Sequence, residues 1–193
     1  ISNIVFMGMG EPLLNYKNLL LGIEKITSNE GLGISPKRIT VSTSGMSKLI
    51  IRMANENVKF NLAISLHSAL EETRNKIMPF SKKFPLNELK DAVKYWYKKT
   101  KRKVTYEYIV WKGINDNMKH IKALVKFCKA APSKVNIIEY NNTENPFFNA
   151  ANDKKIQEYI SELETNKIPV TIRKSRGKDI DAACGQLANK EIN

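Results

Sequence analysis

Apolar positions along the chain fall into short runs and helical stripes that alternate. Residues 3–7 form a run of large and β-branched side chains that stops at Gly8 and Gly10, the pattern of a buried strand emptying into a tight loop. Leu19, Leu20, Ile23 and Ile26 recur at helical spacing and predict a helix over 16–29. Strands are predicted over 38–42, 60–65, 104–111, 135–140 and 170–174. Helices are predicted over 47–56, 71–77, 86–99, 117–131 and 153–166, the second stopped by Pro79. Residues 175–193 read as an irregular tail that is basic at first and rich in small residues.

Strand and helix in alternation argue for a parallel sheet with helices outside it. Right-handed crossovers then bring every strand's carboxyl end to one rim. The strand exits carry residues 8–11, 42–45, 65–67, 112–115, 139–142 and 174–178, so small, polar and basic side chains collect there. Six predicted strands are too few for an eight-stranded barrel, and the expected fold is an α/β partial, open TIM-like barrel. All 193 residues read as one domain, with no repeat or linker that would divide it.

Composition narrows the class. Hydrophobic content of 42% with 26% charged residues is globular, and no apolar run approaches the roughly 18 residues of a membrane span. A cytoplasmic protein without a membrane partner is expected. Lys and Arg number 32 against 19 Asp and Glu, and the formal charge of +13 points to a polyanion such as nucleic acid. The basic stretch at residues 98–103 is either an RNA contact or a solvated helix end. Only Cys128 and Cys184 are present, which excludes a disulfide framework and any metal cluster held by this chain's own cysteines. Cys128 falls in register with Ile121, Leu124 and Val125 and reads as a core residue. Leu13 stands where a dinucleotide-binding motif would place its third glycine, which disfavours that fold.

Four segments carry a family resemblance. Gly8-Met9-Gly10-Glu11-Pro12-Leu13-Leu14-Asn15, Thr40-Val41-Ser42-Thr43-Ser44-Gly45, Ala63-Ile64-Ser65-Leu66-His67 and Asp179-Ile180-Asp181-Ala182-Ala183-Cys184-Gly185-Gln186-Leu187 occur in this order. Together they resemble the radical-SAM adenine-C2 RNA methyltransferases, which act on 23S ribosomal RNA and tRNA. The resemblance implies a partial barrel of the radical-SAM type, S-adenosylmethionine and a four-iron four-sulfur cluster. The family's CxxxCxxC cluster loop precedes the Gly-Glu-Pro strand, so the cluster ligands are expected upstream of residue 1. The chain is expected to be the carboxyl-terminal portion of the domain, inactive without the upstream part.

Carried over by position, the resemblance implies that Gly10, Glu11, Ser42, Ser65, Leu66, His67 and Asn141 bind S-adenosylmethionine. The chemistry suits this, since a carboxylate meets an ammonium group while hydroxyl, imidazole and amide groups mark ribose and adenine without adding charge. Cys184, on the tail, is the implied catalytic residue: it accepts a methyl group, loses a hydrogen atom from it to a 5′-deoxyadenosyl radical, and the resulting carbon radical adds to adenine. Carbon 2 of adenine is electron-poor, which rules out polar transfer. Small neighbours leave this cysteine room, and Arg173, Lys174, Arg176 and Lys178 just upstream favour a thiolate and attract phosphate, making them candidate RNA contacts. An electron donor for the cluster and a monomeric state are also expected. Two other readings stay open: an adenine carbon 8 methyltransferase of the sister resistance family, and a noncatalytic RNA-binding remnant of the fold.

Overall fold

The computed structural model describes residues 1–141 and 147–174. Six strands pair in parallel and in chain order: β1 (Ile4–Phe6), β2 (Ile39–Thr43), β3 (Asn61–Ser65), β4 (Val104–Ile109), β5 (Ser133–Ile138) and β6 (Val170–Arg173). The result is an open half-barrel, as the alternation of elements predicts. Helices fill the crossovers: α1 (Tyr16–Thr27), α2 (Ser47–Asn55), α3 (Glu71–Ile77), α4 (Leu86–Thr100), α5 (Met118–Cys128) and α6 (Asp153–Thr165).

The strands present two unlike faces. Val41, Leu62, Ile64, Tyr106, Val135 and Ile137 point outward and join the buried faces of the helices in one core. Trp96 on α4 is fully buried there, and Cys128 sits in the buried face of α5. On the other face the register lines up Ser42 with Ala63 and Thr105, then Ser65 with Glu107, Asn136 and Thr171. Sheets covered on both sides carry apolar residues on both; here the inner row is small and polar because it lines a hollow.

Three proline-led 3-10 turns, Pro12–Asn15, Pro36–Arg38 and Pro79–Lys83, lie in the connections. β4 ends at Ile109, short of the predicted residue 111, because Trp111 pairs instead with Ala150 in an antiparallel bridge. Arg102 departs from the reading of residues 98–103 as a solvated or RNA-facing run. Its guanidinium donates to the carbonyls of Phe60 and Val58 and lies 5.4 Å from the Trp96 ring, tying the end of α4 to β3. Among the described residues, no helix is long and apolar enough to cross a membrane.

Candidate active site

The exits of β1, β2 and β3 surround a cleft of about 480 Å³ lined by Met7, Gly10, Glu11, Ser42, Ser65 and His67 among others. Gly10 takes φ +87° at the turn out of β1 and leaves the backbone open to a ligand. Gly8 does not adopt a left-handed φ. Glu11 is held firmly: Oε1 accepts from the Leu13 amide at 3.1 Å, and Oε2 from the Ser44 amide and hydroxyl at 2.6 and 2.7 Å. Its carboxylate is thus preset to meet an ammonium group rather than free to wander.

A second pocket of about 280 Å³ adjoins the first through His67 and Met78 and contains Trp111, Tyr140, Asn141 and Phe148. Trp111 meets His67, Tyr140 and Phe148 at ring-centroid distances of 5.6, 6.2 and 5.1 Å. The first pocket therefore offers the Glu11 carboxylate and hydroxyls, and the second flat aromatic walls beside the Asn141 amide, with Glu139 also in its lining. This donor set suits an elongated zwitterion with an aromatic end.

The structure brings Gly10, Glu11, Ser42, Ser65 and His67 together in the first pocket and places Asn141 in the second. The Leu66 side chain does not join them, being fully buried in the core. Its amide donates to the Glu107 carbonyl, and its own carbonyl accepts from Arg74. Arg173 and Lys174 lie at the end of β6, exposed. Arg173 Nη1 reaches Met7 Sδ at 3.1 Å and Glu107 Oε2 at 4.0 Å, so it overhangs the hollow as well as facing solvent. Arg176, Lys178 and Cys184 fall outside the described residues.

Three buried polar residues escape a reading by motif. Arg74 on α3 is wholly buried and donates to the carbonyls of Leu66 (3.2 Å), Ser44 (2.5 Å) and Ser65 (3.4 Å), joining the exits of β2 and β3 from behind. Burial lowers its pKa to about 10. Glu107 accepts from Asn136 Nδ2 at 2.9 Å on the floor of the hollow, and burial raises its pKa above the usual carboxylate range. Asn115 sits beneath the turn that carries His67. Arg74 lies on a helix, Glu107 within a strand and Asn115 in the turn after β4, and the burial of each depends on what packs over it.

His67 has φ +53°, an uncommon conformation for a residue with a side chain. Its Nδ1 accepts from the Ile109 amide at 3.2 Å. Burial, followed by the nearby Arg74 charge, lowers its pKa to about 4, so the ring is neutral at physiological pH. Among the described residues, no group of three or more His, Cys, Asp or Glu is placed to hold a metal ion, and Cys128 is buried. An iron–sulfur cluster thus finds no ligand set there.

Comparison with known proteins agrees with this geometry. Residues 2–128 match the radical SAM superfamily. A probable dual-specificity RNA methyltransferase RlmN of Flavobacterium psychrophilum is 66% identical over 192 residues, covering 100% of this chain and 55% of that protein. Its counterpart in Thermus thermophilus is 42% identical over 190 residues, covering 98% and 54%. The chain thus spans about half the length of the curated relatives it matches. Among solved structures, a radical SAM methyltransferase from Sphaerobacter thermophilus superposes with a TM-score of 0.92 at 36% identity, covering 96% of this chain and 55% of that one.

Proposed function

The chain belongs to the radical SAM superfamily, and we propose that it forms the cofactor-binding half-barrel of an enzyme that methylates carbon 2 of adenine in 23S ribosomal RNA and tRNA. The observation that carries this reading is the 66% identity to a dual-specificity RNA methyltransferase along the whole chain. The two joined pockets support it, since S-adenosylmethionine is a zwitterion with an aromatic end. Glu11 would receive the ammonium group, Ser42 and Ser65 would hydrogen-bond the polar middle, and Asn141 would mark the adenine in the aromatic pocket. His67 stands between the two ends.

S-adenosylmethionine, with a four-iron four-sulfur cluster, supplies the methyl group and the radical chemistry when bound. In this reading Cys184 receives the methyl group on sulfur and presents that carbon to adenine, so enzyme and RNA are joined before release. Arg173, Lys174, Arg176 and Lys178 would hold RNA phosphates close to that cysteine, while base choice comes from the pocket. A target adenine within structured RNA would have to leave its stack to reach the rim. The cluster ligands belong to sequence outside this chain, and an electron donor, a cytoplasmic location and a monomeric state complete the reading.

The test is Cys184→Ala in the intact, cluster-loaded protein, assayed by mass spectrometry for 2-methyladenosine in rRNA and tRNA. Product formation should fall below detection while S-adenosylmethionine binding persists. Methylation at the wild-type level would refute the assignment, and methylation at carbon 8 instead of carbon 2 by the wild type would move the enzyme to the sister chemistry.

A further inference from the structure

Asn115 is fully buried and spends every hydrogen-bonding group of its side chain on backbone. Nδ2 donates to the His67 carbonyl at 2.7 Å and to the Ile109 carbonyl at 2.9 Å, while Oδ1 accepts from the Trp111 amide at 2.7 Å. The Asn115 carbonyl in turn accepts from the Tyr159 hydroxyl. One side chain thus ties the exit of β3, the end of β4 and the turn after β4. An amide alone among the side chains of this length offers two donors and one acceptor in that arrangement.

What it holds is unusual. A left-handed residue that is not glycine stands at a cost and persists where the surroundings over-determine it. At His67 that backbone brings Nδ1 to the Ile109 amide, a group that always carries a proton, so Nδ1 must be the acceptor. A neutral imidazole accepting at Nδ1 bears its proton on Nε2. The ring therefore presents an N–H donor at the boundary of the two pockets.

We propose that Asn115 is a positioning residue for this cleft: it fixes His67 as the Nε2–H tautomer, aimed at a hydrogen-bond acceptor in the middle of the bound cofactor, such as a ribose oxygen. The identity of that ligand rests on the reading of the cleft as the S-adenosylmethionine site. The hold on the tautomer does not. Loss of Asn115 frees the His67 carbonyl and backbone, the Ile109 amide moves away from Nδ1, and both tautomers become accessible.

The experiment is nitrogen-15 NMR of histidine side chains in the intact protein, with His67 assigned by its loss in His67→Gln, alongside S-adenosylmethionine titration. In the wild type at pH 7, His67 should show a single tautomer protonated on Nε2. Asn115→Asp keeps the size and the acceptor toward Trp111 but loses both donors. It should show mixed tautomers and a roughly tenfold weaker Kd, about 1.4 kcal/mol, with the His120 signals unchanged as a control for folding. Should Asn115→Asp fail to fold, Asn115→Ser, which keeps a single shorter hydroxyl donor, is measured in its place. A wild-type His67 protonated on Nδ1, or a single unchanged tautomer in whichever Asn115 variant folds, would overturn the proposal. If the wild type fails to bind S-adenosylmethionine, the functional reading falls, while the tautomer measurement still decides the role of Asn115.

Discussion

Glu11 enters the cleft with three donors already on it, so removing its charge should cost binding more than folding. Glu11→Gln leaves one oxygen to accept from Ser44 and puts an NH2 where the other oxygen accepts from the Leu13 amide and would meet an ammonium group. Calorimetric titration should show S-adenosylmethionine affinity reduced at least about tenfold, in line with the strength of hydrogen bonds between charged groups. His67 adds a dependence on acid. Its pKa is lowered from the ordinary 6.5 to about 4 in the folded protein, so the unfolded chain takes up the proton first and stability is lost as pH falls from about 6.5 towards 4. Above pH 7 this contribution is complete and flat. Thermal melts across that window should show a steeper fall for the wild type than for His67→Asn, and equal slopes would contradict the assignment. At this scale the rim positions of Gly10, Glu11, Ser42, Ser65 and His67 were legible in the sequence because each lies in the last residues of a strand or in the loop after it, where topology decides the rim. Arg74 and Glu107 were not, and Asn115 was read only as one of the rim residues 112–115, since a polar residue on a helix, in a strand or in a turn reads as exposed until its neighbours are known. Leu66 shows the converse: its two neighbours line the cleft, but strand alternation sends its own side chain into the core.

At the scale of elements, α3 is short, yet it carries the guanidinium that joins two strand exits. Arg74→Met keeps much of the side-chain volume but leaves carbonyls of Ser44, Ser65 and Leu66 without that donor. Urea unfolding should show a loss of roughly 3 kcal/mol, the scale expected when a buried polar network loses one member. A loss below about 0.5 kcal/mol would mean that the carbonyls find other partners. Element types and order were readable because the longer crossover helices carry apolar stripes and the strands short apolar runs, with Pro79 marking the end of the stripeless α3. The ends were less so. β4 is cut short where Asn115 captures the Ile109 carbonyl and Trp111 turns to Ala150, and neither event leaves a mark on local propensity. The proline-led 3-10 turns were likewise absorbed into loops.

For the molecule as a whole, a formal charge of +13 makes electrostatics the first expectation for RNA. Arg176→Glu in the intact protein should weaken RNA binding more at low salt than at high salt. The plot of log affinity against log salt should become shallower by about one unit for each phosphate no longer neutralised, and filter-binding titrations at several salt concentrations would measure it. Equal weakening at every salt concentration would place Arg176 away from phosphate. The bulk charge alone would have recruited Arg102 as well, whereas that side chain spends its donors on the carbonyls of Phe60 and Val58. The order β1 to β6 in the sheet bears on how the chain comes to be folded. Each strand pairs with the one made just before it, so a polypeptide leaving the ribosome never waits for a distant partner to extend the sheet. The cleft assembles in the same sequence: Glu11 is emitted first, Ser44 reaches it once β2 docks, and His67 gains its support only after β4 and Asn115 have followed. Competence to bind a ligand thus lags behind the growth of the scaffold, and a nascent chain stalled before β4 would hold a folded edge but an unfinished pocket.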